Sequence, residues 1–155
     1  MTQRAAGSPP PLLGALVRRP AEAVHLRILR EANEAGFTDL VPAHLAVLRY
    51  PGPDGRRPSD LAAEVGATKQ AMNYLLGQLE QLGYVERRGD PGDQRSKRVH
   101  LTERGRALGS VMRRTVTKIE RELEDELGTT SYAQLRKLLV RLNDTRTIRA
   151  ERDTP

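Results

Sequence analysis

Between Leu61 and Leu82 two apolar stripes of helical period are parted by a single glycine, an arrangement that few folds accommodate. Ala62 supplies a small residue where two short helices must cross closely, and Gly66 follows where the turn calls for a positive φ. Leu61, Val65, Ala67, Met72 and Leu75 stand where apolar side chains fill the wedge between such helices. The spacing predicts a short helix from Asp60 to about Val65, capped by Ser59, and a second to Leu82, capped by Thr68. A plain helical hairpin would not need agreement at every one of these offsets; a helix-turn-helix does.

With Met72, Leu75, Leu76 and Leu79 turned inward, the opposite face of the second helix presents Thr68, Lys69, Gln70, Asn73 and Tyr74. These hydrogen-bonding side chains gather at the helix N-terminus, the end that enters the major groove in such motifs. Gln70 and Asn73 have the donor–acceptor pair that reads adenine, Lys69 suits guanine or phosphate, and Thr68 can both cap the helix and touch a phosphate. A merely solvated face would carry acids among these residues, and the stretch has only Glu80, near its far end.

Two short strands are predicted next, Tyr84–Arg88 and Ser96–Leu101, joined by residues 89–95, which are dense in turn formers. The hairpin carries Arg87, Arg88, Arg95, Lys97 and Arg98 against Asp90 and Asp93. A basic hairpin beside a recognition helix is a wing, and the negative potential of a narrow minor groove attracts arginine. Arg95 is expected at the tip, supported by Lys97 and Arg88. Asp93 is expected to shape the turn or orient Arg95, since its charge opposes DNA.

The remaining chain is helical by pattern. A helix from Leu12 to about Ala35 has Pro20 inside it, which predicts a kink or a break. A second begins at Pro42, with Val41 in the cap position, and buries Leu45, Val47 and Leu48. Thr102 caps a long helix to Leu127, and Ser131 with Gln134 fits a capping box for a last helix carrying Leu135, Leu138, Leu139 and Leu142. The terminal stripes lack partners within one chain, so a second copy is expected to cover them. Residues 1–11 read as a disordered leader and 147–155 as a frayed tail.

Composition agrees with a mainly α fold, because aromatics are only 3% of 155 residues and the core must be built from aliphatics. The 26 Lys and Arg against 20 Asp and Glu give +6, a balance that suits nucleic acid. No cysteine is present, which excludes disulfides and thiol chemistry and fits a cytoplasmic setting. No apolar run is long enough to span a membrane. His25, His44 and His100 share no metal-ligand spacing, no catalytic constellation occurs, and neither cofactor nor enzymatic activity is expected.

Residues Asp93-Gln94-Arg95-Ser96-Lys97-Arg98-Val99-His100-Leu101-Thr102-Glu103-Arg104-Gly105 resemble the wing signature of the MarR family (multiple antibiotic resistance regulators), D-x-R-x-K-x-x-x-L-T-x-x-G. Gly83-Tyr84-Val85-Glu86-Arg87 is similar to the stretch that precedes it in that family, and Leu61 to Leu82 to its helix-turn-helix. The resemblance implies one domain over residues 12–146. Residues 42–102 would be the winged helix-turn-helix lobe, and 12–36 and 103–146 the dimerisation helices. It further implies a homodimer on a palindromic duplex operator, usually repressing, and released by a small, often aromatic or phenolic, anion held between the two regions. His25, His44 and Tyr50 fall where such an effector would sit. Pro20 and the Val41-Pro42 step depart from the common pattern. The rival reading is a winged helix that binds a protein and has no operator.

Overall fold

A computed structural model describes residues 11–49 and 51–152 of the chain. In chain order these form α1 (Leu13–Glu34), α2 (Pro42–Leu48), α3 (Pro58–Val65), α4 (Lys69–Gln81), β1 (Val85–Asp90), β2 (Asp93–Leu101), α5 (Glu103–Leu127), α6 (Thr129–Asn143) and α7 (Arg146–Arg152). The molecule is mainly helical, with one antiparallel hairpin. None of the described helices is long and apolar enough to cross a membrane.

The core lies where α2, α3, α4 and the hairpin meet the first half of α5. Leu45, Leu61, Met72, Leu76, Tyr84 and Leu108 are fully buried there. Ile28 and Ala32 of α1 join this cluster from the side, as α1 runs along α5. In the hairpin Val85 pairs with Leu101, Arg87 with Val99 and Gly89 with Lys97; a bulge at Gly89/Asp90 then brings Asp90 opposite Asp93. Arg56 exchanges two backbone hydrogen bonds with Val99, 2.8 and 3.1 Å, which ties the start of α3 to the wing.

Several expectations are corrected. The hairpin is longer than the pattern predicts, so the wide link shrinks to Pro91-Gly92, because turn-forming residues on either side still pair across the ladder. The helix containing Pro20 is continuous over 22 residues. One missing rung does not break it, and the residues around Pro20 are exposed, where water can take the freed carbonyl. Ser59 does not cap α3: Pro58 opens that helix, its fixed φ suiting the first position, and Arg57 precedes it without a side-chain cap. Ser131 likewise lies inside α6, since the single residue Gly128 separates α5 from a helix that starts at Thr129. The tail expected to fray is helical through Arg152. The expected leader, apart from Pro11, lies outside the described residues.

Candidate nucleic-acid interface

The turn between α3 and α4 is made by Gly66, at φ 69°, a left-handed conformation that glycine adopts without strain. Ala67 N–H then donates to the Ala62 carbonyl at 2.9 Å, closing α3. Thr68 caps α4, its Oγ1 accepting from Ala71 N–H at 3.1 Å. Met72, Leu76 and Leu79 are buried, while Thr68, Lys69, Gln70, Asn73 and Tyr74 are all exposed. The expected reading face therefore stands clear of the core along the first two turns of the helix. Its only acid, Glu80, faces Arg87 at 3.6 Å.

The wing is held by a residue that sequence reasoning passed over. Asp90 is a buried carboxylate. Its Oδ1 accepts from Gly92 N–H at 3.1 Å, and its Oδ2 accepts from Arg57 Nε at 2.9 Å and from Ser96 Oγ at 3.3 Å. Arg98 Nε lies 3.1 Å from the same oxygen as an ion pair. The Gly92 amide, followed by the two guanidiniums, holds its carboxyl well below the usual range. One side chain thus fastens the turn of the hairpin to the N-terminal end of α3. No local pattern announces this, because Arg57 comes from beyond α4 in the chain and an acid before Pro-Gly reads as an ordinary turn residue.

At the start of β2, Asp93 Oδ1 accepts from Arg95 N–H at 3.0 Å. The side chains of Arg95 and Lys97 are exposed, and among the described residues neither pairs with a carboxylate. Arg88 is exposed and lies 2.5 Å from Glu86.

The base of the wing explains the end of the signature. Thr102 Oγ1 donates to the Gly83 carbonyl at 2.6 Å and accepts from Gly105 N–H at 3.1 Å. A Cβ on Gly105 would lie 2.1 Å from the Tyr84 carbonyl oxygen, so only glycine lets α5 approach this closely. Tyr84 is fully buried, its hydroxyl donates to Asp39 at 2.5 Å, and Arg104 sits 4.3 Å over its ring. Burial and then the bond to Asp39 push the phenol well above its ordinary range.

The histidines expected near an effector separate. His44 is buried: Nδ1 accepts from Val41 N–H at 3.3 Å, which leaves Nε2–H to donate to Gln78 Oε1 at 3.1 Å. It takes the capping role that Val41 cannot fill, and Gln78 passes the connection on to the Tyr74 hydroxyl at 3.2 Å. His25 is half-buried and accepts from Arg49 at 3.0 Å. Tyr50 lies outside the described residues. A cleft of 510 Å³ does open between α1, α2 and α5, walled by Val24, Ile28, Leu48, Met112 and Val116.

Helix, turn, capped second helix and hairpin in this order define a winged helix-turn-helix protein. Residues 38–96, the winged lobe through most of its hairpin, match the MarR family. The fold is shared with the repressor CouR bound to a 23-mer DNA duplex, at 28% identity over 84% of this chain and 92% of that one, TM-score 0.65. CouR from Rhodococcus jostii RHA1 bound to p-coumaroyl-CoA is similar at 26% identity over 82% and 88%, TM-score 0.66. The reduced form of MarR from E. coli, 23% identical over 87% and 98% with TM-score 0.71, attests to the fold alone.

Proposed function

We propose that the protein is a transcriptional repressor that binds a pseudo-palindromic duplex operator as a homodimer. One observation carries the reading: the exposed face at the start of α4, free of acids, stands beside a wing whose Arg95 and Lys97 have no carboxylate partner among the described residues. Thr68, Lys69, Gln70, Asn73 and Tyr74 meet base edges and flanking phosphates in the major groove, and Arg95 enters the minor groove, with Lys97 and Arg88 on the backbone. Asp93 keeps the tip in shape.

The dimer is supported by apolar surface that one chain leaves open. Leu13 and Leu16 are 58% and 55% exposed, and α6 buries none of its residues. Two-fold pairing through these helices sets two recognition helices roughly 34–36 Å apart, one turn of DNA. The cleft between α1, α2 and α5 spans the junction of the pairing helices and the reading lobe. A small apolar anion bound there, of the aromatic class, would bias the spacing of the two lobes and release the operator. CouR, a repressor solved both on a DNA duplex and with p-coumaroyl-CoA bound, supports repression and the binding of a small ligand.

Arg95→Ala is expected to weaken operator binding by about 1–3 kcal/mol in a gel-shift titration. A variant that binds like the parent removes the wing from the interface. If the parent prefers no duplex sequence over bulk DNA in a salt titration, the winged helix is a protein-binding module instead.

A further inference from the structure

The hydrogen bonds that begin at His44 run in one direction as far as the reading face. A backbone N–H can only donate, so the bond from Val41 N–H to Nδ1, 3.3 Å, makes Nδ1 an acceptor and puts the ring proton on Nε2. That proton needs an acceptor, which turns the Oε1 of Gln78 toward the ring, at 3.1 Å. The amide nitrogen of Gln78 then faces the other way and donates to the Tyr74 hydroxyl at 3.2 Å. Tyr74 and Gln78 stand one turn apart on α4. Exposure rises along the path: His44 is 3% exposed, Gln78 is half-buried and Tyr74 is 68% exposed. A phenol oxygen that accepts from one neighbour keeps its own proton for another. Among the described residues no acceptor takes the Tyr74 proton.

We infer that Tyr74 acts on the operator as a hydrogen-bond donor, with His44 and Gln78 as positioning residues that set the direction of its hydroxyl from inside the lobe. The inference rests on the DNA-binding reading above and deepens it: the partner of Tyr74 is an acceptor on the duplex. Two sources share that chemistry, a phosphate oxygen and an acceptor on a base edge, such as guanine O6 or N7 or thymine O4. The amino groups of cytosine and adenine are donors, and would leave the outward proton of Tyr74 unmet. Gln70 and Asn73 carry donor and acceptor on one side chain and can turn either outward. The chain from His44 removes that choice from Tyr74. The setting comes from α2, not from the recognition helix itself.

Two measurements test this. The first needs no DNA: a long-range proton–nitrogen NMR spectrum of the full chain should place the His44 ring proton on Nε2. A proton on Nδ1 breaks the chain at its first link and overturns the inference. The second is a gel-shift cycle on the selected operator at about 0.15 M salt, where a Debye length of about 8 Å limits the reach of an added charge. Tyr74→Phe should lower affinity about tenfold, the worth of one well-placed hydrogen bond to the duplex. Gln78→Glu replaces the donating amide by a second acceptor, so the hydroxyl turns inward and offers only lone pairs to the DNA. That change should cost about tenfold in the parent but only about twofold in the Tyr74→Phe background. Circular dichroism checks that each variant is folded. Equal losses in both backgrounds would assign the effect to charge alone and overturn the inference, as would a Gln78→Glu variant that binds like the parent. Selection from a random duplex library separates the two sources: Tyr74→Phe keeps the parent's site if the acceptor is a phosphate, and loses preference at one position if it is a base. Tyr74→Phe binding like the parent takes this side chain out of the interface and overturns the inference. A parent that prefers no duplex sequence removes the functional reading too, whereas a failed spectrum or cycle with operator binding intact removes only this inference.

Discussion

Leu61, Met72, Leu76 and Leu79 in the winged lobe are wholly buried, whereas Leu135, Leu138 and Leu139 on α6 are 42%, 51% and 41% exposed. Both regions carry helical leucine stripes of the same period, so the stripes alone do not distinguish them. What differs is what surrounds them. The lobe closes on itself through specific polar ties: Thr68 on α4, Thr102 on α5, the Tyr84–Asp39–Arg104 group and the Asp90 buckle. The terminal helices have few such ties, one being the two-pronged Arg27–Glu122 bridge between α1 and α5, and they leave their stripes exposed. A reading head must be rigid to hold its contacts in register. A pairing arm needs only to be complementary to itself.

The comparison breaks most sharply if the arms are made to repel. Leu138→Glu together with Leu139→Glu should give a monomer by sedimentation and lower operator affinity by about 100-fold, because the second half-site is no longer tethered. Unchanged cooperative binding would show that the exposed stripes are not the pairing surface.

The opposite break is inside the lobe. Gly105→Ala places a Cβ against the Tyr84 carbonyl, and should cost about 2–3 kcal/mol of stability by overpacking the wing base. Thermal unfolding measures it, and an unaltered midpoint would mean that α5 can retreat without loss.

A finer test separates rigidity from folding. Asp90→Asn keeps the shape of the side chain and removes its charge, so the wing should swing more freely and operator affinity fall by about tenfold while the dimer persists. The effect on stability has a direction in pH. The bonds from Gly92, Arg57 and Arg98 depress the folded-state value, so the contribution is fully present above the ordinary carboxylate value and is lost as pH falls through the lower one. The gap in unfolding midpoint between parent and variant should therefore be constant near neutrality and shrink below about pH 4. A gap that widens in acid contradicts the buckle.

How much of this the sequence carries depends on how local each cause is. The helix-turn-helix was legible because Ala62, Gly66 and Thr68 act within a few residues of themselves. Thr102 and Gly105 were legible as a pattern, although the reason for the glycine is a carbonyl across the wing base. The Asp90 buckle was not, since its partners come from α3 and from the far strand. His44 misled for a related reason. A histidine in the second helix looks available to a ligand until Val41 and Gln78 are found to occupy both ring nitrogens. Boundaries at Ser59 and Ser131 failed because Pro58 and Gly128 start the helices earlier than the nearest good capping residue.

The most direct measurement is sedimentation of the full chain with a duplex site selected from genomic fragments, repeated across a salt series. Two protomers per site are expected, on half-sites roughly 34–36 Å apart, with affinity falling steeply as added salt lowers the entropy gained from counterion release. A single protomer bound, or equal affinity for every duplex at low salt, would contradict a paired reading head.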